Sequence, residues 1–139
     1  MDLIDPTKKM SKSAINKNGV IYLLDSDDDI RKKIMRATTD SDMKVVYDEI
    51  NKPGISNLMT IYSVLTNMNI EEIEEKFKNS NYGEFKKSVA DVVVDEISKI
   101  RDKYGYYINS DKIAEILDNG KRITEKIAKE KYELLKNTM

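Results

Sequence analysis

Lys9 and Lys12 stand three residues apart near the start of the chain, in the stretch DPTKKMSKSAINKNG that runs from Asp5 to Gly19. A turn-like backbone at that spacing can point both ammonium groups at one phosphate chain. Lysine suits such work because it is a compact point charge on a flexible stem. Ser11 and Ser13 add hydroxyl donors, and small side chains there leave backbone N–H groups open to phosphate oxygens. Met10 lies between the charged positions as an apolar peg able to anchor the loop to a protein body. The same residues also make a solvated basic tail. The stretch taken alone is therefore either a tail or half of a phosphate-handling site whose other half lies elsewhere.

Composition narrows the chemistry. At 139 residues the chain fits one domain with a core of its own. Formal net charge is −1, so no global field draws it to nucleic acid or membrane, and anion binding must come from a local patch. The chain has no cysteine and no histidine. That excludes disulfides, thiolate zinc sites, Ser-His and Cys-His catalysis and imidazole metal ligation, and no metal ligand set is assigned. No apolar run reaches membrane-spanning length and no basic-then-apolar leader opens the chain, so the expectation is a cytoplasmic protein with no membrane partner.

The elements that must hold the loop read mostly as helices. Val20 to Leu24 is a β-branched and aromatic run, either a short strand or an apolar lead-in. Ser26 reads as an N-cap with Asp29 three residues on, and Ile30, Ile34 and Ala37 form the inward face behind it. Thr38 to Asn51 is irregular and ends at Lys52-Pro53-Gly54. Ile55 to Thr66 is apolar nearly all round, which predicts a central helix covered by others. Asn69 caps a short acidic helix from Glu71 to Lys78, and Tyr82-Gly83 breaks the chain. A long helix follows from Glu84 to about Tyr104 with Phe85, Val89, Val93 and Ile97 along one stripe. Ser110 caps Asp111 to Leu117, Asn119-Gly120 stops it, and a last helix runs from Lys121 to about Lys136. The expectation is mostly all-α: a bundle of about five helices over residues 25–139, preceded by a strand or loop remnant over residues 1–24.

Lys9 to Ser13 spells KMSKS, and the residues around it extend the pattern. After DPTKKMSKS come IYLLDSDDDIRKKIMRATTDS (Ile21 to Ser41), YDEINKPGISNLMTIYSVLT (Tyr47 to Thr66) and NYGEFKKSVADVV (Asn81 to Val93). Together these closely resemble bacterial tryptophanyl-tRNA synthetases, a branch of the class I aminoacyl-tRNA synthetases, over essentially the whole chain. The resemblance is to the C-terminal part of such an enzyme. It implies that the Rossmann-type catalytic domain with its HIGH-type motif lies upstream, so that this chain alone is inactive.

Further implications concern the residues. ATP, accompanied by magnesium in the intact enzyme, would be bound at Lys9, Met10, Ser11, Lys12 and Ser13. Lys12 would steady the leaving pyrophosphate in the transition state, with Lys9 in support. The helical part would engage the anticodon region of a tRNA, tryptophan would be the amino acid, and the parent would be a homodimer. Many members carry an aspartate after the signature where this chain has Ala14, so a polar contact there is not expected. A related synthetase such as the tyrosine enzyme, and a stand-alone helical RNA-binding module, are the alternative readings.

Other cationic positions fit a plainer role. Arg31, Lys32, Lys33 and Arg36 read as a solvated helix face paired i,i+4 with Asp27, Asp28 and Asp29, ahead of a tRNA contact. The basic residues from Lys121 to Lys131 are weighed likewise. Tyr62 and Tyr104 read as core tyrosines with a hydroxyl at the rim.

Overall fold

The computed structural model describes residues 1–138. In order, it contains a single 3-10 turn (Lys17–Gly19) and then α1 (Asp27–Met35), α2 (Pro53–Thr66), α3 (Ile70–Phe77), α4 (Tyr82–Ile108) and α5 (Lys112–Thr138). Among the described residues there is no strand, so Val20 to Leu24 is an apolar lead-in that ends in a turn. The chain separates into two units, Met1–Arg101 and Asp102–Met139.

The first unit holds the core. Ile30 and Ile34 of α1, Ile55, Leu58 and Met59 of α2, Ile73 of α3, and Phe85 and Val89 of α4 are all fully buried, together with Leu3 from the N-terminal segment. Tyr62, Phe77 and Phe85 meet edge-on or tilted at centroid distances of 4.9 to 6.0 Å, a favoured geometry for aromatic pairs. Leu3 joins this core although it precedes every helix, so the N-terminal limb is part of the packed body.

The helix starts follow their caps. Ser26 accepts from Asp29 N–H at 3.2 Å at the head of α1, as its sequence position predicts. Asn69 and Glu72 form a complete capping box on α3. Asn81 and Glu84 exchange the equivalent bonds at 3.0 and 3.2 Å, so Tyr82 and Gly83 open α4 where the sequence pointed to a break before Glu84. Helix α2 begins at Pro53, two residues earlier than its apolar pattern indicates, because proline needs no N–H partner in the first turn. It stops at Asn67, whose φ of 57° is the left-handed cap conformation.

Three expectations from helical spacing fail at element ends. The burial along α2 fades, leaving Val64 71% exposed, so that helix is covered on one end only. Tyr104 is 48% exposed, whereas Tyr62 is buried and its hydroxyl accepts from Lys76 Nζ at 2.8 Å. Asn119-Gly120 does not stop a helix, and Ser110 does not cap one: its hydroxyl donates back to the Tyr107 carbonyl at 3.1 Å. α5 instead runs unbroken through Gly120, which lacks the positive φ of a helix stop. A lone glycine costs about 1 kcal/mol against alanine in a helix, too little to end one whose flanks are strong formers. A Cβ at Gly120 meets nothing within 4 Å. Gly120→Ala is therefore expected to stabilise α5 by roughly 0.5–1 kcal/mol, visible as slower amide exchange along that helix.

The irregular segment between α1 and α2 is tied down by a polar cluster. Tyr82 Oη donates to the Asp40 carboxylate at 2.8 Å, and Lys52 pairs with Asp40 and Asp42. Burial alone would raise the Asp40 carboxyl, but the Tyr82 hydroxyl, the Asp42 N–H and Lys52 outweigh it and hold it below the usual range. A lowered carboxyl adds stability above its unfolded value, near 3.9, that is lost as pH falls through the folded value. Tyr82→Phe should thus cost about 1–2 kcal/mol near neutral pH. The gap to the unaltered chain should narrow in urea melts repeated below about pH 4.

Candidate functional site

The lysine loop is a built feature of the first unit. Asp2 N–H donates to the Lys8 carbonyl at 2.8 Å and Leu3 N–H to the Gly19 carbonyl at 2.9 Å. Two adjacent residues of the limb therefore pin both feet of the loop, and buried Leu3 ties that clamp to the core. Asp2 also accepts from the N–H groups of Ile4 and Asp5 at 2.8 and 3.0 Å. A Cβ on Gly19 would lie 2.1 Å from the Asp2 carboxylate, so glycine lets the limb lie close against this foot.

Just before the first foot, Pro6 and Thr7 form the corner of a turn closed by Lys8 N–H on the Asp5 carbonyl at 2.9 Å. Lys8 Nζ pairs with Asp5 at 2.7 Å. That contact, with the Thr7 hydroxyl, holds the Asp5 carboxyl down to about 2 and raises the Lys8 ammonium. Lys8 is thereby matched within the loop. Lys9 and Lys12 are exposed, and among the described residues neither meets a carboxylate within salt-bridge distance. Ser11 to Ala14 form a second turn, closed by Ala14 N–H on the Ser11 carbonyl at 3.0 Å. Lys12 and Ser13 occupy its corner, and the Ser11 and Ser13 hydroxyls lie 3.0 Å apart. Met10 points the other way and packs against the core, as an anchoring peg should. The loop thus presents three lysines without a carboxylate partner among the described residues, Lys9, Lys12 and Lys17, and two hydroxyls to solvent on a backbone fixed at its base.

The basic face of α1 is paired differently from the i,i+4 scheme. Arg31 reaches Asp91 on α4, Lys33 pairs with Asp25 at 2.5 Å, and Asp27 receives Arg101 from α4. These acids and bases join elements, which leaves Lys32 and Arg36 exposed. Asn57, in the NKPGISNL stretch, was legible only as part of the resemblance. Its amide brackets Met1, with Oδ1 accepting from the Met1 amino group at 2.9 Å and Nδ2 donating to the Met1 carbonyl at 3.1 Å. A cavity of about 630 Å³ opens beside it, lined by Pro6, Thr7, Tyr47, Ser56 and Thr60 among others. No lysine lines it, so it is not the phosphate site.

The loop and the helices that carry it have counterparts in known proteins. A sequence model described as tRNA synthetases class I (W and Y) matches residues 1–98, and the chain belongs to that family. Within it the chain is similar to the tryptophan–tRNA ligase of Malacoplasma penetrans, 51% identical over 139 residues, covering 100% of this chain and 42% of that protein. The tryptophan–tRNA ligase of Bacillus subtilis is 45% identical over the same shares. The crystal structure of tryptophanyl-tRNA synthetase from Mycoplasma pneumoniae superposes with a TM-score of 0.69 at 38% identity, covering 74% of this chain and 34% of that one. The chain thus spans about two-fifths of the length of the curated relatives it matches.

Proposed function

We propose that the chain serves as part of a tryptophan–tRNA ligase, supplying the loop that meets the ATP phosphates and the helices that engage tRNA. In amino-acid activation a carboxylate oxygen of tryptophan bonds to the α-phosphorus of ATP. The bond from that phosphorus to the bridging oxygen breaks, and its electron pair leaves with pyrophosphate. Charge builds on the leaving oxygens, where a positioned cation acts most strongly. Lys12, at the corner of its turn, is the group assigned to meet that charge. Lys9 supports it, Ser11 and Ser13 donate to phosphate oxygens, and Met10 anchors the loop. The observation that carries this reading is that Lys9 and Lys12, three residues apart, stand exposed and unmatched on a loop clamped at both feet.

Residues 1–24 are the end of the catalytic region in this scheme, and residues 25–139 the helical domain that engages the anticodon region. The working enzyme would be a cytoplasmic homodimer. Among the described residues no helix is long and apolar enough to cross a membrane. Nor do any three carboxylates converge as metal ligands among them. Cationic lysines and hydroxyls do not make a magnesium site, so a magnesium ion entering with ATP would be held by the nucleotide and groups outside this loop.

Two measurements on the pure chain test the reading. It should show no tryptophan-dependent exchange of pyrophosphate into ATP, since in this scheme it supplies one phosphate loop and spans 42% of the ligases it matches. Exchange above background would contradict that division of labour. By fluorescence anisotropy it should bind a tRNA for tryptophan more tightly than the same tRNA with an altered anticodon. Equal affinities would remove the anticodon assignment.

A further inference from the structure

Tyr22 lies three residues past Gly19, where the loop rejoins the body, and the residues around it fix its orientation. Its N–H donates to Asp25 Oδ2 at 2.8 Å, and the same oxygen accepts from Lys33 Nζ at 2.5 Å. Lys33 also donates to the Val20 carbonyl at 2.8 Å, and its ammonium stands 4.9 Å from the centroid of the Tyr22 ring. The Lys33 and Asp25 side chains are only 12% and 15% exposed, so water screens the pair weakly. Arg101 of α4 completes the group by donating to the Asp25 carbonyl. The Val20 and Asp25 carbonyls are thereby held from α1 and α4, the Tyr22 N–H is held by the Asp25 carboxylate, and the ring lies under a cation.

In that orientation Tyr22 Oη donates to the Lys12 carbonyl at 3.4 Å. Among the described residues it is the side-chain hydrogen bond that enters the turn of Lys12 from outside the loop; the Ser11–Ser13 and Asn16–Asn18 contacts are internal. The distance is at the long end of the range, so the bond biases the turn without locking it.

We infer that Tyr22 is a positioning residue: its hydroxyl, aimed by the Lys33–Asp25 pair, holds the Lys12 carbonyl and so sets the direction in which the Lys12 side chain leaves the loop. The inference rests on the reading of Lys12 as the cation that meets pyrophosphate, and its test keeps the two apart. The first arm uses the 139-residue chain. Trypsin cuts after lysine, and the carbonyl that Tyr22 holds belongs to the bond cut after Lys12. Tyr22→Phe keeps the ring over Lys33 and removes the donor. It should speed cleavage after Lys12 about fivefold relative to cleavage after Lys17, with an unchanged melting temperature.

The second arm sets residues 1–139 in place of the matching stretch of the Bacillus subtilis relative. There Tyr22→Phe should lower kcat for tryptophan activation about fivefold with KM for tryptophan unchanged. It should add nothing in a Lys12→Ala background, since both act through one group. Unchanged cleavage after Lys12, or faster cleavage without a fall in kcat, overturns the positioning role. If Lys12→Ala itself leaves activation intact, the reading of the loop fails instead, and the cleavage arm still reports whether Tyr22 holds the turn.

Discussion

Lys12→Ala in the ligase completed with this chain is expected to lower kcat for tryptophan activation about a hundredfold, roughly 3 kcal/mol. KM for ATP should rise far less. The split follows from where Lys12 stands. It is exposed at the corner of the Ser11–Ala14 turn, with no partner that its removal would leave buried. On the proposed role it would meet, in the ground state, phosphates that are already solvated. Only when the bond to the α-phosphorus breaks does extra charge collect on the leaving oxygens, and only an interaction made then raises kcat. Lys32, exposed on α1 without such a role, is the control, and Lys32→Ala should leave activation near its original rate. A stability loss is not expected from either substitution, since neither side chain enters the core. Initial rates of pyrophosphate exchange across a range of ATP concentrations separate the two parameters.

The second large effect is structural. Gly54→Ala is expected to destabilise the first unit by about 3 kcal/mol, at the upper end of overpacking penalties. A Cβ at Gly54 would lie 2.0 Å from the Thr38 carbonyl oxygen and 3.3 Å from Thr39 Cα. These are backbone atoms with little room to yield. Thr38 N–H donates to the Leu3 carbonyl at 2.8 Å, and its hydroxyl donates to the Ile4 carbonyl at 2.7 Å. Moving Thr38 would therefore loosen the limb that clamps the loop. For a unit of about a hundred residues this corresponds to a fall of roughly 15 °C in Tm. Gly120→Ala should move stability the other way, so calorimetry and amide exchange on the pair separate a glycine demanded by packing from one merely tolerated.

The contrast between these glycines shows what could be read from the sequence. Helix starts were legible because caps act over three or four residues: Ser26 and Asn69 do locally what their side chains dictate. The apolar stripes placed Ile30, Ile34, Ile73, Phe85 and Val89 in the core, since burial on a helix face follows its period. Where tertiary contacts decide, local reading fell short. Nothing in Lys52-Pro53-Gly54 reveals the Thr38 carbonyl above Gly54. Asp27 meets Arg101 of α4, Asp29 accepts from the Ser26 cap hydroxyl and Arg31 reaches Asp91, and so the i,i+4 pattern suggested by Asp27 to Arg36 is not the one realised. Along α5 the sequence signals a stop that no contact enforces.

The loop divides in the same way. Its lysines, serines and anchoring methionine could be named from residue type and spacing, and Met10 does pack inward. The clamp at Asp2, Leu3, Lys8 and Gly19 could not, because it joins residues by backbone bonds that leave no trace in composition. Tyr22 was equally hidden: it read as one apolar residue in a lead-in, and its reach to Lys12 depends on Lys33, eleven residues further on.

The proposed role is tested most directly by amino-acid-dependent exchange of pyrophosphate into ATP, with residues 1–139 set in place of the matching stretch of the Bacillus subtilis ligase. The expected result is exchange that depends on tryptophan, is not supported by tyrosine, and falls about a hundredfold on Lys12→Ala. A folded chimera that exchanges nothing, or one whose exchange is indifferent to Lys12→Ala, would contradict the account.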